Sequence, residues 1–232
     1  KNSYDSYQLD DNPDRVRKVA LFEGTDEFGR LQPILGSAEP ATDFDGNPIY
    51  WPETQPYIDA GLAYLEDGVT RRHIEGATAW HSPTTENPAV GHTEEWEVFN
   101  VTGDSHPIHL HLVHFEVLER REIICDSNTI EAGDTLSDGE VATEDDETRV
   151  IPNAKADTPA NDGTYLVAQS TIQHNSTTDP ATWGSGFRVA NPTIGAVVDP
   201  LLEPEYVDRN LPKDMVTARP DEVTFIKAKF DK

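Results

Sequence analysis

Apolar residues in this chain come in short runs bounded by turn residues, and long helical periods are nearly absent. The first run, Val16 to Glu23, has the content of a strand and is followed by turn chemistry in Gly24-Thr25-Asp26-Glu27-Phe28-Gly29. Leu31 to Leu35 is a second short run. From Glu94 to Val101, Trp96, Val98 and Asn100 alternate with Glu97, Phe99 and Val101, which predicts a strand entering the core. Thr102-Gly103-Asp104-Ser105 then turns the chain into His106-Pro107-Ile108-His109-Leu110-His111, and the apolar run on to Leu118 reads as a buried strand. Gly163 to Ser170 offers another strand, carried by Tyr165 and Val167. Glu222 to Asp231 puts Thr224, Ile226, Ala228 and Phe230 on one face. Tyr57 to Leu65 supplies one short helix. Short strands separated by turns and long loops, with no internal repeat, predict an all-β sandwich or barrel.

The intervening stretches are polar. Residues 1–15 read as a linker or arm, and 16–232 as one domain. Residues 36–76, rich in Pro, Gly and Asp, form an irregular excursion. Within it, Asp43-Phe44-Asp45-Gly46-Asn47 lacks both the glycine position and the closing Glu of an EF-hand, so it reads as a turn. Residues 126–162 are strongly acidic and read as a solvated insertion. Residues 174–215, punctuated by Pro180, Pro192, Pro200, Pro204 and Pro212, also read as loop, so that 126–210 is a second loop-rich insertion.

Charge narrows the range of partners. Lys and Arg number 18 against 43 Asp and Glu, a net charge of −25 in 232 residues. That balance excludes a nucleic-acid or anionic-membrane partner, because both require basic surface. The acids are spread along the chain rather than gathered in a tail, which points to a high-salt solvent that screens their repulsion, and so to a halophilic source. A single cysteine, Cys125, excludes an internal disulfide. No apolar run is long enough for a membrane-spanning helix, and the first residues do not resemble a signal peptide. The chain opens in a polar stretch without an initiator Met and stops at Phe230-Asp231-Lys232 directly after a strand pattern, so both ends read as cut.

Three of the eight histidines fall within the six residues His106 to His111. Neutral imidazole is a good ligand for copper, zinc, iron and nickel. On a regular strand His109 and His111 would project from one face about 7 Å apart, too far for comfortable chelation of one ion and suited to two ions or two neighbouring sites. His106, held extended by Pro107, need not aim where the other two aim.

The run from Gly91-His92-Thr93-Glu94-Glu95-Trp96 through Asn100 and His106 to Arg121 resembles the third cupredoxin domain of multicopper oxidases, in the branch of the spore-coat laccase and bilirubin oxidase. Glu23-Gly24-Thr25-Asp26-Glu27-Phe28-Gly29-Arg30, Trp80-His81-Ser82-Pro83, Lys213-Asp214-Met215-Val216 and Asp221-Glu222-Val223-Thr224 fit the same branch in order. The resemblance implies a cupredoxin-like Greek-key fold with long acidic loop insertions, and a C-terminal place in the parent protein. It implies copper as the cofactor, with His106 as a type 1 ligand, His109 as a type 2 ligand and His111 as a type 3 ligand. The family oxidises phenolic, pigment or metal-ion reductants by one electron and reduces dioxygen to water. Export or a cell-surface location is implied as well.

In that family a Cys within an H-C-H segment, a second His and usually an axial Met complete the type 1 site, after a strand like Val223 to Asp231. H-x-H pairs from an upstream cupredoxin domain complete the cluster. Neither is present here, so the resemblance implies a fragment, inactive by itself, whose partners are the upstream domains and the C-terminal copper segment of the same protein. The other readings are a noncatalytic copper-binding or structural cupredoxin-like domain, and a mononuclear zinc or iron enzyme using the same histidines. His114 reads as a packing or surface histidine, and His73, His81, His92 and His174 have no partner at metal spacing. Cys125 reads as an inert thiol, Trp96 and Phe115 as core, and Glu116 as solvent-facing or paired with Arg120 or Arg121. Asn100-Val101-Thr102, within a strand, and Asn175-Ser176-Thr177 fit the glycosylation pattern.

Overall fold

The computed structural model describes residues 9, 12–25, 30–59, 61–65, 67–78, 82–123, 165–168, 187–190, 194–197 and 212–231. Cys125, His81, His174, Asn175 and the acidic insertion 126–162 lie outside these residues. In chain order the elements are β1 (Arg15–Thr25), β2 (Leu31–Ser37), α1 (Gln55–Asp59), β3 (Gly76–Ala77), β4 (Thr93–Asn100), β5 (His106–His109), β6 (Phe115–Ile123), β7 (Tyr165–Ala168), β8 (Phe187–Ala190), β9 (Ile194–Val197), β10 (Met215–Ala218) and β11 (Glu222–Lys229). Among the described residues no helix is long and apolar enough to cross a membrane.

The expected all-β class is the observed one. Seven strands form one curled sheet in the order β3-β2-β1-β4-β11-β6-β9, and β5 pairs with β10 in a separate ribbon. β1 runs parallel to β4, while β11 is antiparallel to both β4 and β6. Because strand side chains alternate, each central strand feeds two cores. Val19, Leu21, Trp96, Val98, Ile226 and Ala228 pack on the face covered by Val216 and Ala218 of β10, with Ile108 and Leu110 against them. Ala20, Phe22, Phe99, Val223 and Phe225 pack on the other face, with Val189 of β8. A register shift between Phe225 and Ile226 pairs them with Glu119 and Val117, so Leu118 is the extra residue of a bulge. Phe115 and Val117 therefore join the first core, and Ile123 joins the second.

Some expectations are corrected. The helix is one turn over Gln55–Asp59 rather than Tyr57 to Leu65. The excursion at 36–76 has a core of its own, made by Ala41, Trp51, Leu62 and Ile74. Asp43 Oδ1 accepts from the backbone N–H of Asp45 and Asn47 at 3.0 and 2.8 Å, the self-bonded turn expected there. The stretch read as loop contains β8 and β9 and ends where β10 begins at Met215, and β9 extends the main sheet beside β6. Four-residue runs such as Phe187–Ala190 are too short to show a period against flanking Pro and Gly.

Charged side chains are buried in the sheet. Glu94 and Arg17 are 0% and 5% exposed and face each other across β4 and β1. Glu97 is also buried, with Lys18 Nζ 4.0 Å away. Burial pushes its carboxyl above the usual range, and Lys18 opposes this. The folded state therefore binds the Glu97 proton more tightly than the unfolded chain. That contribution is fully present below the unfolded value of about 4.3 and is lost as pH rises through the raised folded value. Glu97→Gln is expected to raise the melting temperature at pH 7, with the advantage gone near pH 4 at about the unfolded carboxyl value. A lower melting temperature at pH 7 would show that the attraction of Lys18 outweighs desolvation.

Candidate metal centre

The histidine segment is not one continuous strand. β5 ends at His109, and the chain bends through Leu110 to His114 before β6 begins. Leu112 sits in the left-handed region at φ 69°, which costs a leucine energy, and its side chain is 79% exposed rather than buried. His109 and His111 both face outward, while Ile108 and Leu110 turn toward the first core. The bend brings the two imidazoles closer than a regular strand would, with ring centroids 4.8 Å apart and planes inclined at 60°. His106 shares the inward parity of Ile108 and Leu110 and is half-buried.

β10 supports this segment from behind. His109 pairs with Met215 and His106 with Ala218. The carbonyl of Asp214 accepts from Leu110 N at 3.0 Å and from His109 Nδ1 at 2.7 Å. A carbonyl oxygen can only accept, so His109 Nδ1 carries the proton and Nε2 keeps its lone pair. His111 makes the ring contact with His109 and no hydrogen bond among the described residues.

The ring of His106 meets a network at the end of β4. Asn100 is fully buried, and its Nδ2 donates to the carbonyls of Asp104 and Ala218 at 2.8 and 3.1 Å. Its Oδ1 accepts from Thr102 N at 3.0 Å and Thr102 Oγ1 at 2.8 Å. The carbonyl of Asp104, 3.1 Å from Thr102 Oγ1, is a further acceptor for that hydroxyl. Thr102 Oγ1 also lies 2.8 Å from His106 Nε2, a contact whose direction follows the tautomer of the ring. Glu23 Oε1, from β1, is a carboxylate oxygen 3.0 Å from the same Nε2, which favours the tautomer with Nε2–H and a lone pair on Nδ1.

These residues suit copper in kind. Three imidazoles are present, and in two of them one nitrogen is held as a donor while the other keeps its lone pair, the arrangement that orients metal-bound histidine. They are incomplete in number. Among the described residues no three His, Cys, Asp or Glu side chains lie close enough together to hold one ion, so His109 and His111 are a pair and His106 stands apart.

The remaining residues read for chemistry play structural parts. His73 packs edge-on against Tyr50, with centroids 4.5 Å apart. His114 is exposed, and Trp96 and Phe115 are core. Arg121 pairs with Glu119 at 2.5 Å rather than with Glu116, and Arg120 donates to the Thr217 carbonyl at 3.2 Å. The buried amide of Asn100 is committed to the network above, so the first glycosylation pattern is out of reach. Glu23 and Thr102 were not singled out from the sequence. The match of Glu23 to Arg30 with the oxidase branch was the signal that the end of β1 nears the site.

A family model described as multicopper oxidase matches residues 54–167, just under half of the chain. A laccase from Bacillus subtilis (strain 168) is 62% identical over 42 residues, covering 18% of this chain and 8% of that protein. Multicopper oxidase LPR2 from Arabidopsis thaliana is 42% identical over 65 residues, covering 28% of this chain and 11% of that protein. The matched stretches thus span about a tenth of these relatives or less. A solved multicopper oxidase from Campylobacter jejuni, titled a metallo-oxidase, aligns over 97% of this chain and 26% of its own at 9% identity and a TM-score of 0.32, too loose a superposition to define a fold. Residues 54–167 are thus similar to the multicopper oxidase family, and His106, His109 and His111 lie inside the matched stretch.

Proposed function

We propose that residues 16–232 form the C-terminal cupredoxin domain of a laccase-like multicopper oxidase from a halophile, exported or held at the cell surface. His106 serves a type 1 copper through Nδ1. His109, through Nε2, serves a type 2 copper, and His111 a type 3 copper. Further domains and a C-terminal copper segment of the same protein supply the other ligands, so this chain by itself does not turn over. Copper bound in this way supplies one-electron oxidation of phenolic, pigment or metal-ion substrates and four-electron reduction of dioxygen to water.

One observation carries the reading. The nitrogens held as donors are the ones not needed for metal, and they differ between the two sites: Nε2 of His106 is tied to Thr102, and Nδ1 of His109 to the Asp214 carbonyl. The opposite tautomers present the two lone pairs from different edges of the ring, an arrangement that suits two separate copper centres.

Oxygen uptake by the intact copper-loaded protein tests the chemistry. With a phenol, one dioxygen should be consumed for every four substrate molecules oxidised by one electron, the four protons that the phenols release should balance the four used in forming two waters, and no hydrogen peroxide should accumulate. Copper binding without substrate-dependent uptake would favour a noncatalytic copper-binding domain instead.

A further inference from the structure

Met215 is the only methionine in the chain, and it is 56% exposed. The antiparallel register of β5 and β10 sets it directly across from His109. Residues paired in this way project from the same face with Cβ atoms about 5 Å apart, so the thioether shares the outward face of the ribbon with that imidazole. His109 Nδ1 is committed to the Asp214 carbonyl, which leaves the lone pair on Nε2. The Asp214 carboxylate lies 4.0 Å from Nδ1, on the edge of the ring away from Nε2. His111 lies against His109 with ring centroids 4.8 Å apart. Metal–nitrogen bonds of about 2.0 Å put the centre of a bound imidazole roughly 3 Å from its ion, so two rings at this separation can close on one ion at an open angle. No His, Cys, Asp or Glu among the described residues joins them as a third ligand. A thioether is a donor of another kind, and Met215 brings one to the same face.

We infer that His109, His111 and Met215 form a site for one cuprous ion on the outward face of the β5–β10 ribbon. Two neutral imidazoles and a thioether, with no charged oxygen, make a soft set that selects Cu(I) over ions that prefer carboxylate and water. All three donors belong to this chain, so the site does not depend on the further domains that the type 2 and type 3 assignment requires. It is where the chain by itself takes up copper, one ion shared by the pair before each histidine is given its own.

The single methionine makes the test direct, because labelling its methyl group with carbon-13 gives one resonance that reports on this sulfur. The full 232-residue chain is used with Cys125→Ser, which removes its only thiol, in chloride-free buffer. One equivalent of Ag(I), a redox-inert stand-in for Cu(I), should shift the Met215 methyl resonance and the ring resonances of His109 and His111 together. Competition with a chromophoric chelator under nitrogen then measures Cu(I) itself. Met215→Leu keeps the apolar bulk and should weaken Cu(I) binding while leaving Ni(II), which imidazole serves, unchanged; His109→Ala should weaken both. A methyl resonance that stays fixed, one that moves without the rings, or a Met215→Leu chain that holds Cu(I) as tightly as the parent overturns the site. None of these results touches the type 2 and type 3 reading, which is decided on the intact copper-loaded protein.

Discussion

Glu94→Ala is expected to lower the unfolding free energy by about 3–5 kcal/mol, a large share of the 5–15 kcal/mol that holds a domain folded. Arg17 Nε and Nη2 donate to the two carboxylate oxygens of Glu94 at 2.6 and 3.0 Å. Trp96 Nε1 donates to the same carboxylate at 3.0 Å. The remaining guanidinium reach goes to the carbonyls of Thr42 and Asn87, each at 3.3 Å, so this pair ties β1, β4, the 36–76 excursion and the loop before β4 together. Removing the carboxylate strands a buried guanidinium and an indole N–H in the first core. Urea or thermal unfolding of Glu94→Ala measures the loss. The double variant Arg17→Met with Glu94→Leu separates the ion pair from the space it fills. It should recover most of the stability, because a buried pair replaced by packed apolar groups is often neutral. An Ala variant as stable as the parent would mean that water reaches the pair.

His109→Ala should have the largest effect on function. In the proposed assignment it removes a ligand of the oxygen-reducing centre, so uptake of dioxygen by the intact protein should fall by more than the roughly 10–100-fold that loss of an outer partner costs. Electron entry through His106 does not depend on His109, because His106 has its own supports in Thr102, Asn100 and Glu23. The blue band should therefore still bleach when substrate is added under nitrogen and should fail to recover when air is admitted. Recovery at the parent rate would contradict the role given to His109.

The strands that organise this site were legible because each is long and has apolar residues on alternating positions. β1, β4 and β11 carry eight to eleven residues and stand where their patterns place them. β8, β9 and β10 escaped notice because four residues do not make a period, and their burial depends on a sheet face supplied by distant strands. The histidines were legible as a metal cluster, but their geometry was not. Regular extension put His109 and His111 about 7 Å apart, whereas the end of β5 at His109 and the hold of the Asp214 carbonyl on its ring leave the rings 4.8 Å apart. No local signal marks Leu112 for φ > 0, since glycine or asparagine is the residue that normally announces that conformation. Glu23 and Glu94 were unreadable as partners for a similar reason. Their roles come from strand pairing across about eighty residues, and a glutamate in an acidic chain looks like any other.

Electron paramagnetic resonance of the copper-loaded intact protein, compared with His106→Ala and His109→Ala, tests the division of the histidines most directly. The type 1 signal should vanish in His106→Ala with the type 2 signal retained, and the type 2 signal should vanish in His109→Ala with the type 1 signal retained. Loss of the same signal in both variants, or of neither, would contradict the assignment of these histidines to separate copper centres.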